Sequence, residues 1–363
     1  MFKSVLSLTL AAALGTASFG QTTLTAIPGE AAAAKYASIS QEILRAIEKG
    51  NEYLKSKQNP EGYWAQPSYP ALTALAVTAY MRDPANQGKP VPEYIRKGYD
   101  FILKSQKEDG SIFNRGMSSY NTAVCMMALL AANKEEYAPA ILKGRAYLIK
   151  QQNHFAPDNP YNGGIGYGDK QAPPIADLSN TSLALEAIYY SQKLAKDGKY
   201  GEQPDLDWNA ATEFINRCQQ NPAVNKEPWV SNDKSQLGGF VYRPGVSSAR
   251  DKKSAAFDKA EPPKAYGSMT YAGMQSLIYA NVDKNDPRVK LALKWLENSY
   301  SLDENPGMGV QGLYYYYQAM SKALSAMGID TLTLENGRKV DWRDELANKL
   351  ISIQKSDGSW VNT

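Results

Sequence analysis

Few residues of this chain are equipped for chemistry. Histidine occurs once, at His154, and cysteine twice, at Cys125 and Cys218, in 363 residues. His154 stands in a polar stretch after Gln152, with no cysteine near it. A hydroxyl or thiol nucleophile needs a base within hydrogen-bond reach, so His- and Cys-based triads are out. The same scarcity leaves no metal-ligand spacing, and neither a metal nor another cofactor is expected. Catalysis would have to rest on carboxylates, tyrosine or arginine. Asp177 is the acid with the most telling position, directly before the uncharged start of a helical segment, Leu178-Ser179-Asn180-Thr181. Such an acid can point into an interior cavity as a general acid. It can also accept the free N–H groups of the helix start, alongside Ser179 or Asn180. The capping role is the preferred reading.

Tyr314-Tyr315-Tyr316-Tyr317 is the densest aromatic run. Successive helical residues are turned by about 100°, so one or two of the four must face the interior. Tyr314 and Tyr315, with Tyr120, Asn121, Asn180 and Tyr271, are the candidate ligand-binding residues. Trp229 and Tyr242 would extend them into an aromatic funnel suited to a small hydrophobic, sugar or aromatic ligand. A protein partner is the other candidate occupant. The competing reading is seam packing, with the hydroxyls reaching loops.

These residues must be positioned by a recurring unit, whose clearest copy is Lys49-Gly50-Asn51-Glu52-Tyr53-Leu54-Lys55-Ser56-Lys57-Gln58-Asn59-Pro60-Glu61-Gly62-Tyr63-Trp64. An amphipathic helix ends here in a Gln and a Pro/Gly turn. An uncharged segment follows, Pro70 to Met81, with Pro at its start as helices prefer. The pair recurs: Gln106 and Gln152 mark later turns, and Gln354, Gly358 and Trp360 mark the last. Ser38-x-x-Gln41 reads as a capping box for the first helix, which runs to about Lys57, with residues 21–37 as a mobile lead-in. An amphipathic helix has one face to bury, whereas an uncharged one is buried on most sides. Stacked pairs therefore put uncharged helices inside and amphipathic ones outside. The expectation is an all-α, single-domain α/α toroid over residues 38–363, with five full outer–inner pairs plus a sixth outer helix. Period-2 alternation is nearly absent, so a small hairpin at Gly239–Arg243 is the most sheet expected.

Met1 to Gly20, with Lys3 before the apolar run Val5 to Leu14, has the pattern of a secretory signal peptide. A periplasmic or secreted protein is expected, with no transmembrane segment in the mature chain. Cys125, in an apolar run, reads as a core residue, and no bridge to Cys218 is expected. A net charge of +3 with interspersed signs argues against a nucleic-acid partner. The charged stretch Arg250 to Lys264 reads as a solvated insert.

Lys49, Gly50, Tyr53, Leu54, Gln58, Gly62 and Trp64 match in register the repeat of squalene–hopene cyclases and their relatives. From Ser38 to Trp360 the chain resembles the terpenoid-cyclase and protein-prenyltransferase superfamily, in particular exported bacterial proteins carrying prenyltransferase/squalene-oxidase repeats. The resemblance implies that the Gln caps a neighbouring outer helix while the Trp stacks beside it. It also shows what is missing. The cyclases' Asp-x-Asp-Asp acid is absent, since Asp205-Leu206-Asp207-Trp208 lacks the last carboxylate. Asp-Cys-Thr-Ala, the Asp/Cys/His zinc set and the Gly-Cys-Gly-Glu-Gln thioester are absent too; Tyr200-Gly201-Glu202-Gln203 has no cysteine. Phe113 falls one residue late for the Trp position, and Tyr300 stands near the place of a fifth Gln. The preferred expectation is a ligand-binding or protein-interaction scaffold. The alternative is a terpenoid or carbohydrate-active enzyme using Asp177 and cavity tyrosines.

Overall fold

The computed structural model describes residues 30–168, 175–249 and 262–362. The apolar segment Met1–Gly20, Asp169 and residues 250–261 of the charged insert lie outside them. The fold is all-α, with eleven long helices among the described residues: α1 (Glu30–Ser56), α2 (Pro70–Met81), α3 (Glu93–Lys104), α4 (Ser118–Ala132), α5 (Ala138–Lys150), α6 (Leu178–Tyr190), α7 (Trp208–Cys218), α8 (Gly267–Tyr279), α9 (Pro287–Asn298), α10 (Leu313–Met327) and α11 (Trp342–Ile353). Helix α1 begins ahead of Ser38, so Ser38 and Gln41 lie inside it and form no capping box. The Ala31–Ala34 run, taken for a lead-in, has the highest helix propensity available.

Composition decides position. In α2 every residue from Pro70 to Ala79 is buried, and in α8 nearly all are. Outer helix α3 buries only Ile95, Gly98, Tyr99 and Ile102. The even-numbered helices pack in sequence, α2 on α4, α4 on α6, α6 on α8 and α8 on α10. The odd-numbered helices lie against them, and α11 packs back on α1. The described residues hold five outer–inner pairs and a sixth outer helix, as expected. Among the described residues no inner helix follows α11.

One device recurs at five junctions between outer helices. The Gln after the helix donates its two Nε2 hydrogens to two carbonyls. One belongs to the Gly of its own turn and the other to the next outer segment. Gln58 reaches Gly62 O at 2.9 Å and Tyr94 O at 2.7 Å. Gln106 reaches Gly110 and Ala140, Gln152 reaches Gly163 and Asp207, and Gln219 reaches Gly238 and Arg288. Gln354 reaches Gly358 and, across the ends of the chain, Ala46 O at 2.8 Å. The amide thus bridges carbonyls instead of capping free N–H groups; among the five, Gln152 alone also accepts a helix-end N–H, from Asp207 at 3.0 Å.

The glycines are dictated by this approach. Gly62 and Gly358 have φ of +94° and +85°, and a Cβ would meet Lys97 O at 2.5 Å and Lys49 O at 2.3 Å. The indole of Trp64 donates to Leu54 O and lies against Gly98; that of Trp360 donates to Leu350 O and lies against Gly50. The Gly of the Lys-Gly pair is therefore the seat for a tryptophan of the preceding repeat. Ile112 takes the place of the Trp in the second unit, because its N–H donates to Thr122 Oγ1 as that of Trp64 does to Thr73 Oγ1. Phe113 instead lies under the Lys107 ammonium. Ile165 and Phe240 repeat the pattern on Thr181 and Thr270. At the fifth junction Tyr300 bonds Glu345 of α11 at 3.1 Å.

The only β-sheet among the described residues is a hairpin, and it does not lie at Gly239–Arg243, where a small hairpin was the most sheet expected. It pairs β1 (Thr331–Thr333) with β2 (Lys339–Asp341), antiparallel, before α11. The Asn336-Gly337 turn favours it, and Leu332 and Val340 are buried.

Gly88, at φ +73°, has nothing within 4 Å of where a Cβ would stand. Gly88→Ala therefore carries only backbone strain, whereas Gly358→Ala adds a collision with α1. Urea denaturation is expected to find Gly358→Ala about 2 kcal/mol or more the worse of the two. Equal losses would mean that the two helices do not meet this closely.

Candidate functional site

A central cavity of about 240 Å³ lies among the inner helices. Helix α2 and its C-cap contribute Leu75, Thr78 and Arg82, and α4 contributes Tyr120, Ala123, Val124 and Met127. Ser179, Leu183 and Glu186 come from α6, and Tyr315, Gln318 and Lys322 from α10. Both triplets have the spacing of one helix face. A wider groove on the outside, along α3 and residues Lys134–Tyr137, is open and lined by charges of both signs.

Inner helix α8 contributes nothing to this lining, and two cross-bridges show why. Ser179 Oγ and Tyr315 OH are hydrogen-bonded at 3.1 Å. Lys322 Nζ donates to Glu186 Oε2 at 2.8 Å. Both join α6 to α10 in front of α8, and both partners are 136 residues apart. Two helical turns, about 10 Å, separate the bridges along each helix. The ion pair is enclosed, with side-chain exposures of 14% for Lys322 and 5% for Glu186. Between the bridges stands the Gln318 carboxamide, which makes no hydrogen bond to any described residue. The same holds for the Tyr120 hydroxyl, whose pKa burial pushes up to about 12.

Of the residues singled out from sequence, Tyr120 and Tyr315 face the cavity. The others do not. Asn121 ties α4 to α2, accepting from Ala71 N and donating to Met117 O. Tyr314 OH donates to Val361 O. Tyr316 and Tyr317 donate to Ser301 O and Leu302 O. Tyr271 is fully buried with its ring 5.6 Å from that of Tyr316, and Trp229 bonds Arg217 O. The four-tyrosine run thus serves packing at three positions out of four, and among the described residues no aromatic funnel forms. Cys125 and Cys218 are buried and unbridged.

Asp177 is a helix cap. Its Oδ1 accepts from Asn180 N at 2.8 Å and its Oδ2 from Asn180 Nδ2 at 2.7 Å, which also accounts for Asn180. Asp177 is buried and does not line the cavity, although Ser179, two residues on, does. Desolvation pushes its carboxyl up from 3.8 to about 6; the Asn180 bonds, Tyr242 and Arg243 pull in the opposite direction. Tyr242 in turn meets Tyr167, hydroxyl to hydroxyl at 3.2 Å. The partial acid motif is structural as well: Asp205 pairs with buried Arg145 at 2.8 Å and Asp207 caps α7.

Sequence reasoning missed Arg82, Glu186, Gln318 and Lys322. A signal existed for two of them. Glu186 is the one charged residue in α6 and Lys322 the one in α10, and lone opposite charges in two buried helices call for each other.

No protein-family model matches this chain. Among the described residues no group of three His, Cys, Asp or Glu side chains is placed to hold a metal ion, and no helix is long and apolar enough to cross a membrane.

Two measurements probe this geometry. At a pH below about 4 Asp177 is protonated folded and unfolded; between about 4 and about 6 only the folded state keeps the proton, so stability falls as pH rises through that window. Asn caps a helix as well as Asp. Asp177→Asn is therefore expected to gain on the parent by on the order of 2 kcal/mol between about pH 4 and pH 7 in urea titrations. A difference independent of pH would refute a buried, desolvated carboxyl. Lys322→Met should cost about 3–5 kcal/mol by stranding Glu186, and adding Glu186→Gln should recover most of the loss. If the double variant is no more stable than the single, the pair is not coupled.

Proposed function

We propose that this chain is an exported α/α toroid built on squalene-cyclase-type repeats, which binds a small ligand in its central cavity and does not run the chemistry of that superfamily. The return of α11 to α1, through Gln354 and Trp360, supports a closed outer ring. The observation that carries the binding reading is the lining itself. The polar groups of Gln318 and Tyr120 open into a partly open cavity without partners among the described residues, between an apolar band and a compensated ion pair. Polar groups in such a place are satisfied by water or by a ligand.

Size speaks against terpenoid chemistry. Pockets for drug-sized ligands run to about 300–1,000 Å³, and about 240 Å³ is too little for a squalene-length polyene. The enzyme reading built on Asp177 loses its acid to the cap of α6. The scaffold reading is kept for the outside of the ring, where the repeats present their charged faces.

Native mass spectrometry of the protein taken from the envelope of its own cells tests the proposal. A reproducible bound mass of small-molecule size, lost from an Ala123→Trp variant that fills the cavity, is the expected result. Repeated preparations that carry no bound mass, from cells that make the protein at its natural level, would count decisively against a resident ligand.

A further inference from the structure

We infer that the cavity takes an uncharged ligand whose polar end both donates and accepts a hydrogen bond, a primary carboxamide on a short apolar body. This inference rests on the reading of the cavity as a ligand site. The charged side chains of the lining are already engaged. Lys322 and Glu186 hold each other at 2.8 Å, and Arg82 has its own interaction within the protein. An ion of either sign would give up part of its hydration on entry and find no uncommitted counter-charge. Recognition is left to neutral groups.

Gln318 is the central one. It follows Tyr315 by three residues and precedes Lys322 by four, so it lies about one turn of α10 from each cross-bridge. The residue is only 9% exposed, yet its carboxamide has no partner among the described residues. A buried amide left unpaired is costly, and it has two ends to satisfy, an NH₂ that donates and an oxygen that accepts. A primary carboxamide on the ligand satisfies both in one pairing: its oxygen accepts from Gln318 Nε2 and its nitrogen donates to Gln318 Oε1. A ketone, a carboxylate or an amidinium can meet only one of the two. The Tyr120 hydroxyl adds a second donor to the lining, since burial moves its titration to about 12 and it keeps its proton at neutral pH. Leu75, Val124, Met127 and Leu183 receive the body, a single aromatic ring or a short aliphatic chain in about 240 Å³.

The test is a series of near-isosteres read by isothermal titration calorimetry near neutral pH. Benzamide is compared with acetophenone, which only accepts, with benzoate, an anion, and with benzamidinium, a cation that only donates. Hexanamide is compared with 2-heptanone and hexanoate. At least one amide is expected to bind about tenfold or more tighter than each of its isosteres, a difference of about 1.4 kcal/mol. Gln318→Met, of similar length but without the carboxamide, should bring the amide-to-ketone ratio toward one, and Ala123→Trp should abolish binding. Circular dichroism and thermal melts check that each variant folds; if Gln318→Met does not, the series on the parent protein still decides. Ketones that bind as tightly as the amides would overturn the two-ended pairing. Benzoate or benzamidinium that binds as tightly as benzamide would overturn the uncharged class. Amide selectivity that survives in Ala123→Trp would place the binding elsewhere and overturn the proposal too. If no amide binds while native mass spectrometry finds a resident ligand, this inference falls and the cavity reading stands. If native mass spectrometry also finds none, both fall.

Discussion

A primary amide has two hydrogens on one nitrogen, and in this fold both are spent on the same task. At five junctions a Gln donates one to the carbonyl of its own glycine turn and the other to the next outer segment. The distance between consecutive outer helices is set by that reach. The turn glycine follows from it, because the neighbouring backbone comes to within 1.9–2.5 Å of any Cβ there. So does the second glycine, on whose bare face the next aromatic lies. Once the outer spacing is set, the inner helices have to be narrow and uncharged to share the space inside. Alanine-rich α2 and the Ser/Ala/Gly positions of α8 meet that demand.

The alternation of amphipathic and uncharged helices was legible because burial dictates composition over a dozen residues at a time. Single positions were harder. Ile112 occupies the tryptophan site of the second unit, although Phe113 is the aromatic residue there; the ladder contact to Thr122, which fixes register, leaves no aromatic requirement. The same threonine near the start of four inner helices, Thr73, Thr122, Thr181 and Thr270, is a signal that was present and unread. The hairpin before α11 is too short for any periodicity, and only Asn336-Gly337 announces it. Helix α1 starts early because propensity in the Ala31–Ala34 run acts where no tertiary contact is needed to explain it.

For the site, the sequence led to the right helices and partly to the wrong side chains. Tyr120 and Tyr315 were found because aromatic residues near the start of an inner helix have a fair chance of facing the axis. Asp177 stood out for the same reason and turned out to be consumed by its own helix. Glu186 and Lys322 were passed over because attention went to the ends of the inner helices, where catalytic groups usually sit, and these two lie in the middle and toward the far end. Their pairing spans 136 residues and depends on α6 and α10 facing each other in front of α8. No local pattern encodes that relation.

An open stack of repeats frays from both ends, since each terminal unit has one neighbour. Here the first and last outer helices meet, since α11 is hydrogen-bonded to α1 across 308 residues of chain. The inner row is different: it begins at α2 and finishes at α10, and no described helix stands between them. Local opening concentrates where packing partners are fewest. In this molecule that place is the flank shared by α2 and α10, which are two of the four walls of the cavity. Local opening is therefore expected at that flank sooner than at the hydrogen-bonded junctions of the outer row.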